Sequence, residues 1–100
     1  MKVKKYINLV KHDNNSVYCY LPKIVKDKFY GKEVVIKEFE TGLKIRESLL
    51  EDMKTHRVNP KTGFVSYKPF NGIESMLGYY TFEIEDDYLI MTKFNGQQDE

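Results

Sequence analysis

Shifting this chain by 47 positions lays YLPKIVKDKFYG, residues 20–31, on YKPFNGIESMLG, residues 67–78. Tyr20 then meets Tyr67, Pro22 meets Pro69 and Gly31 meets Gly78. Three identities decide little; the recurring order of features constrains more. Each segment follows a turn-forming cluster (His12-Asp13-Asn14-Asn15-Ser16, then Asn59-Pro60-Lys61-Thr62-Gly63) and a short strand-like run, and each leads into two further strand-like runs. The same parts at one spacing predict two pseudo-repeats sharing a core. The fold class expected is β-rich α+β, a small barrel or sandwich with short helices.

Within the first copy, Val3, Tyr6, Ile7, Leu9 and Val10 form a β-branched and aromatic run, and a second strand is expected at Val17 to Leu21. Pro22 suits the first turn of a helix, where its missing amide leaves no bond unmade. Leu21, Ile24, Val25 and Phe29 fall on one face of that helix, with Lys23, Lys26, Asp27 and Lys28 largely off it, and Gly31 is the stop. Glu33 to Phe39, a turn at Glu40-Thr41-Gly42, and Leu43 to Arg46 read as a hairpin.

In the second copy, Pro69 opens the corresponding helix and Gly78 closes it. Tyr80, Phe82 and Ile84 then alternate with polar residues, Asp86-Asp87 turns, and Tyr88 to Phe94 returns, a hairpin about one residue shorter at its turn. Between the copies, Ser48-Leu49-Leu50-Glu51 has the form of a capping box opening a helix to about His56, whereas the repeat asks for a strand near Lys54 to Val58; a short helical turn and then a brief strand reconcile them. The expected organisation is a basic first repeat at 1–48, a connector at 49–58, an acidic second repeat at 59–94 and a frayed, disordered tail at 95–100, which lacks apolar residues.

One hundred residues suffice for a core without metal or disulfide staples. No apolar run is long enough to cross a bilayer as a helix, and the alternating MKVKKYINLV is unlike a signal peptide, so a soluble, cytoplasmic protein is expected. Cys19, the single cysteine, sits among Val17, Tyr18 and Tyr20 and reads as a buried hydrophobe. The net charge of +1 hides a split, +5 over residues 1–50 and −4 over residues 51–100. A polyanion would be met by the first half.

Lys4, Lys5 and Lys11 flank the first strand, and Lys23, Lys26 and Lys28 share the short helix, whose first turn adds amide donors. These six are the candidate anion-binding residues. His12 and His56 lack partners at metal spacing, and Glu83, Glu85, Asp86 and Asp87 read as an exposed hairpin turn, so neither a metal nor another cofactor is expected. With no nucleophile motif, phosphate loop or paired-carboxylate context, no enzyme is expected. Eight tyrosines allow a stacking platform for single-stranded nucleic acid, weighed against cross-strand packing in a small barrel.

SVYCYLPKIVKDKFYGKEVVIKEFETGLKIRES, residues 16–48, resembles the AbrB/SpoVT swapped-hairpin family: an aliphatic-Pro step ending a strand, a short basic helix, a Gly, then a hairpin with an acidic-Gly turn. The second half resembles the degenerate tandem copy of MraZ-like members. The chain departs from the family in having Gly31-Lys32-Glu33 where a Gly-Asp pair is usual. The resemblance implies an interleaved β-barrel and DNA binding in transcription regulation, or an antitoxin role. It places basic contact sites at Lys11 and Lys26, and a third at Tyr18, where this chain lacks the basic residue. Lysine grips phosphate as a point charge and lacks the arginine fork that reads guanine.

The leading expectation is therefore a swapped-hairpin regulator contacting duplex DNA phosphates. The alternative is a protein-binding module, an antitoxin or small inhibitor, acting through the acidic and aromatic second half. Both a monomeric pseudo-dimer and a homodimer fit the repeat, and no membrane partner is implied.

Overall fold

The computed structural model describes residues 6–49, 54–69 and 72–94. Eight strands follow in chain order: β1 (Ile7–Asp13), β2 (Ser16–Tyr20), β3 (Glu33–Phe39), β4 (Gly42–Glu47), β5 (His56–Arg57), β6 (Phe64–Tyr67), β7 (Gly78–Glu85) and β8 (Tyr88–Lys93). Between β2 and β3 lie a 3₁₀ turn at Lys23–Val25 and a one-turn helix, α1 (Lys26–Phe29). All pairings are antiparallel, in the order β5-β3-β4-β8-β7-β1-β2-β6, and the sheet is nearly closed into a small barrel.

That order is unchanged when the two copies are exchanged. Replacing β1 to β4 by β5 to β8, and the reverse, returns every ladder except β1·β2, whose counterpart β5·β6 is the open seam of the sheet, so hairpins from the two copies alternate around the barrel. The pseudo-twofold axis passes through two walls. In one, β2 pairs with β6 from Val17↔Tyr67 to Tyr20↔Phe64. In the other, β4 pairs with β8 around Lys44↔Ile90. Both hairpin turns have two residues, and Glu40-Thr41 and Asp86-Asp87 are 46 positions apart against 47 for Gly31 and Gly78, so the missing residue lies before the turn and not within it.

Alternation aims Val17, Cys19 and Val65 inward from the first wall and Leu43, Ile45, Leu89 and Met91 inward from the second, all buried. Leu21, Val25 and Phe29 close one end of this core, each 2% exposed or less. Ile24 does not join them: it is 72% exposed. Residues 23–25 wind as a 3₁₀ turn and Pro22 is extended, so the spacing that would align Ile24 with Leu21 on an α-helix does not apply.

In the second copy the expected helix shrinks to a 3₁₀ turn at Glu74–Met76. Gly72, at φ +96°, takes a conformation that no right-handed helix admits. The connector strand exists as β5, paired to β3 through Glu33↔Arg57 and Val34↔His56. Ser48 and Leu49 are irregular, and the rest of the expected helical turn, residues 50–53, lies outside the described residues, as does the tail at 95–100.

Candidate nucleic-acid interface

Turn chemistry sets the two hairpins that carry the basic residues. The Asp13 carboxylate accepts from the Asn15 amide (2.9 Å) and the Ser16 hydroxyl (2.7 Å) at the β1–β2 turn. The Ser16 bond, then the Asn15 bond, hold that carboxyl below its ordinary range. The Asn59 side chain likewise accepts from the Lys61 and Thr62 amides (2.8 and 3.0 Å), and the Asn59 amide donates to the Phe64 carbonyl (2.9 Å). Past this turn, side chains hold the β5–β6 seam: His56 bonds the Ser66 backbone and packs edge-on against the Tyr67 ring at 5.5 Å. The Tyr67 phenol in turn donates to the Glu38 carboxylate on β3. His56 is thus a half-buried seam residue, not a loop or surface one.

Of the six lysines singled out in the sequence, Lys4 and Lys5 lie outside the described residues. Lys11, Lys23, Lys26 and Lys28 are exposed and make no ion pair among the described residues. The fold does not gather these four into one cluster. Lys11 stands opposite Val17 near the β1–β2 turn, whereas Lys23 to Lys28 lie beyond the other end of β2.

The second copy supplies what the first leaves apart. Because β6 runs antiparallel to β2, its Val17↔Tyr67 end brings Lys68 toward Lys11. Its other end is anchored by the Leu21 amide donating to the Gly63 carbonyl (3.0 Å), which brings Lys61 toward the segment holding Lys23. Lys61 and Lys68 were not singled out in the sequence, because the acidic total of the second half conceals them. By hairpin, residues 54–68 hold Lys54, Arg57, Lys61 and Lys68 with no acid, whereas residues 78–93 hold Glu83, Glu85, Asp86 and Asp87 against Lys93. Carboxylates engage two of the neighbouring cations: Arg57 with Glu33 at 3.9 Å and Lys32 with Glu47 at 3.8 Å.

The basic wall at β2·β6 is thus defined by lysines beyond its strand ends, since neither strand carries a charge, and the acids of β7 and of the β7–β8 turn sit on the hairpin that adjoins β1. Between the two groups of lysines, the outward positions of β1, β2 and β6 carry rings. Tyr18 and Phe64 stack at 5.2 Å, Tyr20 meets both (5.9 and 5.7 Å), and His12 meets Tyr18 and Phe64 (5.6 and 5.9 Å). Tyr20 remains 55% exposed.

Cys19 lies directly behind this wall, and burial pushes its thiol up to about 12, which suits a core hydrophobe and not a nucleophile. Among the described residues no group of His, Cys, Asp and Glu is placed to hold a metal ion, and no described helix is long and apolar enough to cross a membrane. No family model matches the chain, and no curated protein or solved structure shows significant similarity to it. The class of molecule on view is a small β-barrel of two interleaved pseudo-repeats with one basic, aromatic wall.

Proposed function

We propose that this protein is a non-enzymatic DNA-binding regulator of the AbrB/SpoVT swapped-hairpin type, with its second copy in the manner of MraZ-like proteins. It meets DNA phosphates through the β2·β6 wall and the adjoining α1 segment. One observation carries the proposal: interleaving the copies sets the acid-free hairpin at residues 54–68 beside β2 and opposite the acidic β7–β8 hairpin, leaving Lys11, Lys23, Lys26, Lys28, Lys61 and Lys68 exposed beyond the two ends of the β2·β6 ladder. Exposed ammonium groups bind phosphate strongly but without base identity, so sequence preference would come from other groups. Cytoplasmic residence and a monomeric pseudo-dimer belong to the same proposal.

Fluorescence anisotropy against a random 20-base-pair duplex tests it. Neutralising about five phosphates gives a slope of roughly −4.5 in log K against log salt, a loss of about 500-fold between 50 and 200 mM salt. Absent binding, or binding indifferent to salt, refutes the proposal.

A second reading rests on the acidic side. Glu83, Glu85, Asp86 and Asp87 surround the β7–β8 turn with Ile84 and Tyr88 exposed nearby, a surface suited to a basic protein partner of an antitoxin or small inhibitor. Co-purification of a partner that resists high salt, without DNA affinity, would favour it.

A further inference from the structure

We infer that the ring cluster of His12, Tyr18, Tyr20 and Phe64 is a stacking platform for unpaired bases, so that the basic wall takes single-stranded DNA in preference to intact duplex. The inference rests on the phosphate-binding reading of that wall and adds what lies between its lysines.

Cross-strand packing accounts for part of the cluster: Tyr20↔Phe64 are register partners, and ring pairs of this kind stabilise a sheet. It does not account for the placement. The rings project from the outward face, away from the core formed by Val17, Cys19 and Val65, with His12 and Tyr20 exposed and Tyr18 and Phe64 half-buried in their mutual stack. At the other axial wall the outward register positions include Lys44, Arg46 and Tyr88, with Lys44 over the Tyr88 ring at 5.3 Å, and no ring cluster forms there. Cations occur at both walls; among the described residues only those at β2·β6 bracket a ring cluster. Lys11 and Lys68 lie at one end of the cluster and Lys61 at the other, while the one acid of the β1–β2 hairpin, Asp13, is engaged by its own turn.

Rings between cations match the alternation of an unpaired strand, whose bases offer π-faces while its phosphates lie outside them. A duplex offers only the phosphates, since its bases are stacked on each other. β1 extends the track. Asn8 pairs with Tyr79, and Tyr79, Tyr6 and Phe94 form a second exposed ring group with contacts of 6.4 and 5.0 Å. Both groups border β1, so one strand of DNA can pass from one to the other.

The full chain is titrated by anisotropy with dT20, rU20 and a 20-base-pair duplex at one salt concentration. The chain has no tryptophan, so quenching of tyrosine fluorescence reports stacking directly. dT20 should bind at least tenfold tighter than duplex and quench the tyrosines. Tyr20→Ala, at an exposed position, should weaken dT20 about tenfold and leave duplex unchanged, whereas Tyr20→Phe should retain dT20 binding. Lys61→Gln should weaken both probes alike. Equal affinity for dT20 and duplex, or no selective effect of Tyr20→Ala, overturns the platform while leaving phosphate binding standing. Tighter binding of rU20 overturns the choice of DNA. Failure of every probe to bind overturns both proposals together.

Discussion

Tyr30, at the end of the first copy's helical segment, packs so closely over Gly63 of the second copy that a Cβ built there would lie 2.6 Å from its ring and phenol oxygen. The phenol donates to the Leu21 carbonyl (2.6 Å), and the Leu21 amide donates to the Gly63 carbonyl (3.0 Å), so one small circuit joins the copies. Gly63→Ala must adopt φ +79° and displace Tyr30, and should cost about 3 kcal/mol in urea unfolding. Gly31→Ala has a similar φ of +81°, but its nearest neighbour would be Pro60 at 3.4 Å; it should cost only about 1–2 kcal/mol. Equal losses would show that Tyr30 yields freely.

Every ladder between hairpins crosses the copies: β1·β7, β3·β5, β2·β6 and β4·β8. A fragment of residues 1–49 would retain two hairpins with no strand pairing between them, and an isolated hairpin is marginal in water. The fragment should be unfolded when dilute and gain strand signal in circular dichroism only as it dimerises. A stable monomeric fold in sedimentation would contradict the interleaved order.

His56 is held below its ordinary titration range by burial and then by Lys54, against the opposing pull of Glu33 and the Ser66 bond. A base depressed in the folded state takes up its proton later than in the unfolded chain, so its stabilising contribution is present above about pH 6.5 and is lost as pH falls. The urea midpoint should drop between pH 7 and pH 5, and His56→Asn should flatten that drop. An unchanged slope in the variant would assign it to other groups.

At high pH the sign reverses. Cys19 and Tyr80 are both pushed up to about 12, chiefly by burial, so each keeps its proton in the folded protein after the unfolded chain has released it. Their stability contributions are intact below about pH 9 for Cys19 and pH 10 for Tyr80 and are lost as pH rises toward 12. Thiol labelling at pH 8 should therefore wait on unfolding, and fast labelling of native protein would show that Cys19 is accessible.

Replacing Lys26 and Lys28 together with Gln should make the salt slope for duplex shallower by about 1.8 if each neutralises one phosphate. Glu83→Gln on the opposite side should leave the slope unchanged. An equal change in both variants would mean that total charge, and not the basic wall, governs binding.

Strand positions, both hairpin turns, the burial of Cys19 and the spacing of the copies were legible because they depend on neighbours in the chain: alternation, turn residues, and a Pro and a Gly at fixed offsets. The placement of Ile24 was not, since 3₁₀ and α winding share a sequence pattern over three residues. Gly42 shows a further boundary between the two kinds of information. As part of an acidic-Gly motif it reads as a turn residue, yet it begins β4, where a Cβ would lie 1.8 Å from the Met91 carbonyl oxygen on the neighbouring strand β8. The candidate surface divides the same way. Lys11, Lys23, Lys26 and Lys28 stand out in the basic first half, but Lys61 and Lys68 are hidden by the acids that follow them. The sequence by itself determined two copies, their strands and an imbalance of charge. Only the tertiary structure decided which hairpins share a wall, because antiparallel pairing across the pseudo-twofold axis joins residues 44 to 50 positions apart and sets the lysines of residues 54–68 beside those of the first copy.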